Sequence, residues 1–451
     1  MEDTIGQLQG QESRSPWSRY NEKHEVRIIP NGKAITGDIT IPGSKSLTNR
    51  ALIIAALVEG TSRLEGILKS DDSYWCIRCL RQLGVQIDVE GETAIIHGTG
   101  GIWPNREGDL YFGAAGTIAR FLPGALAAGS GEWKLQGSPR LSERPLAPLL
   151  DALSLLGADI QYEDAKGRLP LTLHAKGLKG SSVSLPGSVS SQFISGLLIA
   201  APYAQDPLTV CIEGTVVQRD YVEMTLDMMR TFGIETEPTP DGQAISVKSG
   251  KYKAQSLALE PDVSTCGYFW SLAAQTNGHI RIHGINEQTR QPDIEILNVL
   301  EQMGCTVIRG ADFIEVTGAP QLKGGFSISM KRWSDQTLTI AALAPFADGP
   351  ITLTDAAHIR HHECDRIAAI CTELGKLGIR VEEHPDGLTV YPGEPTPALL
   401  DTYDDHRVAM ALSLIAVKAD GIRIADPGCV SKTCPDYWDR LSALGLDVTL
   451  S

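Results

Sequence analysis

The chain lacks a long apolar run, a disulfide-like cysteine pattern and any excess of positive charge. No uninterrupted stretch of 18 apolar residues is present, so no membrane-spanning helix is expected. Lys and Arg number 40 against 55 Asp and Glu, and the resulting charge of −15 argues against a nucleic-acid-binding coat. Nine cysteines are scattered; the one Cys-x-x-Cys, Cys76 and Cys79, has no second pair at zinc-like spacing. These thiols read as small core residues in a reducing compartment. Residues 1–25 lack an apolar core and contain several acids, which argues against a secretory signal and a transit peptide. They are expected to form a loose N-terminal extension, and the cytoplasm is the expected location.

What is present is a repeated pattern. The stretch IPGSKSLTNRALIIAAL, residues 41–57, is an extended run, a Pro-Gly turn and an apolar helix start. At that junction stand Ser44, Lys45, Ser46, Thr48, Asn49 and Arg50. A helix N-terminus carries partial positive charge, so Lys and Arg are misplaced there unless an anion sits between them. The pattern returns in DLYFGAAGTIARFL, VSLPGSVSSQFISGLL, LALEPDVSTCGYFWSL, SMKRWSDQTLTIAAL and DTYDDHRVAMALSL. With Ser44, Ala114, Ser188, Asp262, Ser334 and Asp404 as anchors, the intervals are 70, 74, 74, 72 and 70 residues. Fixed-period self-similarity marks a repeated structural unit. Each unit also holds a second helix, a Leu-Gly or Phe-Gly exit and a hairpin pattern, giving about βαβαββ.

The fold class expected is therefore α/β (mixed α+β), with six repeats in two similar domains. Three repeats fall in residues 44–260; residues 26–43 plus 261–451 make the second domain. Six polar helix starts facing one cleft between such domains would make it electropositive in an acidic protein. Repeats alone can be mere architecture, so the turn side chains carry the functional argument.

Those side chains fall in PGSKSLTNRAL, GTIARF, SPRLSERPL, GSVSSQF, SDQTLTIAAL, HECDRI, DDHRVAMALSL and KTCPDYW. In this order the motifs resemble those of 5-enolpyruvylshikimate-3-phosphate synthases, from about residue 36 to the C-terminus. The resemblance implies two inside-out α/β domains closing around shikimate 3-phosphate and phosphoenolpyruvate. It also implies addition of the 5-hydroxyl to C2 of the enolpyruvate, protonation of C3, and loss of phosphate from a tetrahedral intermediate. No cofactor or metal is implied, and the family is usually monomeric.

By the same resemblance, Lys45, Ser46, Arg50, Ser190, Ser191, Gln192, Tyr221, Asp335 and His362 contact shikimate 3-phosphate. Lys45, Gly116, Arg140, Gln192, Arg366, Arg407 and Lys432 face phosphoenolpyruvate. Two anionic substrates call for several fixed cations, Arg bidentate and Lys as a point charge. Asp335 is implied as the base for the 5-hydroxyl proton, and Glu363 with Lys45 as the acid for C3. Asp335 also reads as a helix N-cap.

Four positions depart from the commonest family pattern. Ala114 stands for an Asn, Phe121 for a Pro, His362 for a Lys, and Gln218, followed by Arg219, for a phosphate-binding Ser. The first two lie near the implied phosphoenolpyruvate pocket, which also takes the inhibitor glyphosate in this family, so reduced glyphosate sensitivity is expected. The run HIRHH, with His358, His361 and His362, lacks the clustered carboxylates or thiols of a metal site.

Three other readings compete. The sister transferase acting on UDP-N-acetylglucosamine usually has Lys-Asn in the first turn and a loop Cys, whereas this chain has Lys45-Ser46 and no Cys in GAAGTIARF. RNA 3′-phosphate cyclases share a related repeat but want a basic stripe. A non-catalytic paralogue binding shikimate-like anions would have no need of Asp335 and Glu363.

Overall fold

A computed structural model describes residues 13–451. The chain forms two compact units. Unit 1 takes residues 43–259 with 13–15, and unit 2 takes Pro16–Pro42 and Glu260–Ser451. The chain passes between units at 15/16, 42/43 and 259/260.

Unit 1 carries α1 (Lys45–Leu57), α2 (Asp71–Gln82), α3 (Gly116–Ala128), the one-turn α4 (Pro139–Glu143), α5 (Ala147–Leu155), α6 (Ser191–Ala200) and α7 (Asp220–Thr231). Unit 2 carries α8 (Val263–Thr276), α9 (Ile296–Gln302), α10 (Thr337–Leu343), α11 (Arg366–Lys376), α12 (His406–Ala416) and α13 (Tyr437–Ala443). Helices α1, α3, α6, α8, α10 and α12 follow the six polar turns, and nearly every residue in them is buried. A helix that is apolar all round belongs in a core. In unit 2 the three such helices pack on one another; in unit 1, α3 packs on both α1 and α6.

Each unit wraps its inner helices with three four-stranded sheets, and all six sheets share one order. Strand Glu107–Tyr111, for example, runs parallel to Ser130–Gln136, which pairs antiparallel with Leu171–Lys176, and that strand with Asp159–Tyr162. The parallel pair needs a crossover, which the inner helix provides; the antiparallel hairpin is local. Alternation along Leu171–Lys176 buries Leu171, Leu173 and Ala175.

The N-terminal strands close two sheets of unit 2. Glu25–Ile29 lies between Arg423–Ala425 and Asp447–Leu450, and Thr36–Ile39 runs parallel to His279–His283. The strand before α1 thus belongs to unit 2, and Ser256–Ala258 takes its place beside Glu59–Glu65 in unit 1. Of the expected loose extension over 1–25, residues 1–12 lie outside the described residues. From residue 13 the chain is packed rather than loose. The Trp75 indole donates to the Ser13 carbonyl at 2.7 Å, the Ser15 amide donates to Asp71 at 2.7 Å, and Tyr20 is buried in the unit 2 core. Two hydrogen bonds and one buried ring fix a segment that composition alone marks as polar.

Candidate active site

In unit 1 the polar turns start the helices as anticipated. Ser44 caps α1, its hydroxyl accepting from the Leu47 amide, and Ser190 caps α6 by accepting from Gln192 at 3.2 Å. Lys45 and Ser46 are half-buried in the first turn of α1, and Ser191 and Gln192 open α6.

Arg50, one turn further along α1, is buried. Its Nε donates to Thr225 Oγ1 at 2.8 Å, and its two terminal nitrogens to the carbonyls of Ser46 and Tyr221, each at 2.9 Å. The guanidinium carbon lies 5.0 Å from the Phe121 ring centre and 6.0 Å from that of Tyr221. Every one of these partners is neutral. Burial pulls the pKa of Arg50 down to about 10, because no carboxylate offsets the lost hydration. A buried cation held only by dipoles and ring faces is a charge awaiting an anion.

Gly116 opens α3 without a side-chain cap. A Cβ there would stand 2.7 Å from a terminal nitrogen of Arg120 and 2.7 Å from one of Arg144, so both guanidinium groups converge on this glycine. Arg140, the residue picked from sequence, lies on the exposed side of α4 and pairs with Glu143 at 3.0 Å. Arg144 is the residue that sequence reasoning missed. The available signal was Pro145, which holds its predecessor extended at the exit of α4 (φ −70°, ψ 140°). Ala114 sits half-buried two residues before Gly116, and Gln218 adopts a left-handed backbone (φ 51°) before α7.

Unit 2 holds a tighter ionic cluster. Asp335 accepts from Arg366 at 3.1 Å and from Arg407 at 2.7 Å. Arg366 also donates through Nε to Asp405 at 2.7 Å, through its second terminal nitrogen to Asp405 at 3.2 Å, and to Glu363 at 3.0 Å. Glu363 in turn meets Lys432 at 3.2 Å. Burial would lower the pKa of Arg366, yet the charges of Asp405, Glu363 and Asp335 drive it up instead. Arg407 behaves alike, with burial opposed by Asp335, Tyr268, Asp293 and Asp262. Three cations thus face three carboxylates. Asp405 is fully buried, whereas Asp335 and Glu363 keep side-chain exposures of 16% and 13%. A new ligand can therefore reach the last two.

Asp405 was also missed from sequence. It caps α12, accepting from the Arg407 amide at 2.8 Å, while gripping Arg366 from the side. Asp335 is no side-chain cap: it lies in a single 3₁₀ turn, Ser334–Gln336, ahead of α10. His362 Nδ1 lies 3.1 Å from a terminal nitrogen of Arg366, at the position where the resemblance expects a Lys. His358 bonds Ser334 at 2.8 Å, and burial, opposed by Asp335, lowers its pKa. The His358 and His362 rings pack edge to face with centres 5.8 Å apart, and among the described residues no group of three or more metal-ligating side chains forms.

Fold and ionic groups together define an α/β enzyme built for small anionic substrates. The model of the family EPSP synthase (3-phosphoshikimate 1-carboxyvinyltransferase) matches residues 29–441. The 3-phosphoshikimate 1-carboxyvinyltransferase 2 of Halalkalibacterium halodurans is 55% identical over 439 residues, covering 97% of this chain and 98% of that protein. The 3-phosphoshikimate 1-carboxyvinyltransferase of Nostoc punctiforme is 45% identical over 418 residues, 92% of this chain and 98% of its own. The solved EPSP synthase from Acinetobacter baumannii superposes with a TM-score of 0.80 at 28% identity, covering 95% of this chain and all of the other. The chain belongs to the EPSP synthase family.

Proposed function

We propose that this enzyme transfers the enolpyruvyl group of phosphoenolpyruvate to the 5-hydroxyl of shikimate 3-phosphate, with Asp335 and Glu363 moving the protons. The 5-hydroxyl oxygen bonds to C2 as Asp335 takes its proton, and C3 gains a proton from Glu363. The tetrahedral adduct then releases phosphate as the C2–O(phosphate) bond breaks, C3 returns a proton to Glu363, and the proton on Asp335 leaves with the phosphate.

The observation that carries this reading is the balanced cluster in unit 2. Arg366, Arg407 and Lys432 are already neutralised by Asp405, Asp335 and Glu363. An arriving anion must share those cations, which withdraws positive charge from the two accessible carboxylates and raises their proton affinity. Substrate binding thereby favours protonation of Glu363, the state it needs as an acid. Asp405, buried and bidentate on Arg366, keeps the guanidinium in place through the cycle.

In unit 1, Arg50, Lys45, Ser46, Ser190, Ser191, Gln192 and Tyr221 serve shikimate 3-phosphate, with Arg50 the buried charge for its anionic groups. Gly116, with Arg120 and Arg144 converging on it, admits phosphoenolpyruvate, and Lys45 serves both substrates. Arg144 is the better choice than Arg140 for that role, since Arg140 already pairs with Glu143 at the surface. His362 offers an imidazole where the family pattern has a Lys. No helix among the described residues is long and apolar enough to cross a membrane, and a cytoplasmic monomer is the proposed working form.

The test is phosphate release by purified protein given both substrates, either alone, and both with rising glyphosate. Release requiring both establishes the transfer. Shikimate 3-phosphate binding without release would instead establish the non-catalytic paralogue. With Ala114 in place of an amide, glyphosate is expected to inhibit about ten- to a hundredfold more weakly than in a member with Asn there, the worth of one hydrogen bond to a charged group. Equal sensitivity would remove Ala114 and Phe121 from that explanation.

A further inference from the structure

Between the strand ending at Leu400 and α12 the chain makes a turn, residues 401–405, whose backbone is unusual. Tyr403 and Asp404 both lie in the left-handed region, with φ of 55° and 52°. Left-handed backbone is sparsely populated by residues with a Cβ, and two in succession persist only where surroundings hold them. The turn delivers Asp405 and Arg407, the cap and second residue of α12. Any relaxation of the turn would therefore re-aim both.

What holds it is Glu373. This side chain is fully buried on α11, seven residues or about two turns beyond Arg366 and so on the same helix face. Its carboxyl accepts from the Tyr403 hydroxyl at 2.6 Å, from the Asp401 amide at 3.0 Å and from Lys376 at 2.9 Å. Asp401 adds a bond to the Tyr403 amide at 2.8 Å, and the Asp405 amide closes the turn on the Thr402 carbonyl at 2.9 Å. One face of α11 thus docks the turn twice: Glu373 at its start, Arg366 at Asp405.

We propose that Glu373 is a positioning residue for the reaction, clamping the left-handed turn 401–404 so that Asp405 and Arg407 meet Arg366 and Asp335. It touches no reacting atom; it acts through the backbone it restrains. The proposal rests on the roles given above to Arg407 and Asp335.

The test compares Glu373→Ala, Tyr403→Phe and Glu373→Ala with Asp404→Gly by phosphate-release kinetics, each well below its own melting temperature. Misplacing Arg407 by about an ångström should lower kcat/KM of Glu373→Ala by about 10- to 100-fold. Tyr403→Phe should lower the same parameter less. Adding Asp404→Gly, which makes one left-handed position free of Cβ strain, should restore part of the loss. A lower melting temperature with kcat/KM unchanged in both single variants would overturn the proposal. So would a loss in Glu373→Ala that Asp404→Gly leaves untouched. If Glu373→Ala does not fold, Tyr403→Phe alone decides, since full activity there overturns the clamp. Arg407→Ala is the control: undiminished activity in it would refute the underlying site roles rather than the clamp.

Discussion

Arg50 in unit 1 and Arg366 in unit 2 are both buried guanidinium groups in the first or second turn of a helix, and their surroundings are opposite. Arg50 has only hydroxyl, carbonyl and ring partners, and burial depresses its pKa. Arg366 has three carboxylates, which outweigh burial and raise its pKa. The first is poised to bind a fixed negative charge. The second belongs to a network in which charge is already balanced, so a ligand there must redistribute protons. In the proposed function, binding and proton transfer are thus separated by the company each arginine keeps.

That contrast can be broken at several points. The largest effect is expected in Glu363→Gln, which keeps size but removes the transferable proton. Its kcat should fall by about 10²- to 10⁴-fold, the usual worth of a positioned acid or base, as read by steady-state phosphate release. Next, Asp405→Ala leaves the buried Arg366 guanidinium short of its bidentate partner. Breaking a buried pair in this way costs about 3–5 kcal/mol, which denaturant unfolding would register. No comparable stability loss is expected for a change beside Arg50, where no carboxylate is lost. Phe121→Leu removes a ring face from that cation, worth about 0.5–2 kcal/mol, and should weaken shikimate 3-phosphate binding as read by calorimetry.

The smallest effect concerns pH. Burial lowers the pKa of His358 in the folded protein below its ordinary value, so the unfolded chain binds its proton first as pH falls. Stability from this group is full above about pH 6.5 and declines as pH drops below it. His358→Gln should flatten that part of the pH–stability curve measured by thermal melting.

Much of this was legible in the sequence because the informative features are local. A Ser or Asp followed by an apolar helix start writes its cap into adjacent residues, so the anchors Ser44 and Asp262 and the repeat intervals could be read directly. Lys45, Arg50, Asp335, Glu363, Arg366, Arg407 and Lys432 came with recognisable motifs. Contacts between distant segments were not legible. Arg140 and Arg144 stand four residues apart with the same chemistry, and only the direction in which α4 ends aims one of them at Gly116. Asp405 caps α12, but its grip on Arg366, 39 residues earlier, has no local sign. Glu373 sits in an ordinary TEL helix sequence whose target turn begins 28 residues later. The packing of residues 13–25 escaped for the same reason, since the partners Asp71, Trp75 and the unit 2 core are remote in sequence.

The most direct test sets Arg50→Lys beside Asp335→Asn in steady-state phosphate release, with each substrate varied in turn. Lys cannot reproduce the three directed bonds and ring contacts of Arg50, so KM for shikimate 3-phosphate should rise by about ten- to a hundredfold with kcat little changed. Asp335→Asn should lower kcat by at least about a hundredfold with that KM little changed. If both variants lost kcat alike, or both lost only affinity, the division between a binding arginine and a proton-moving cluster would be wrong.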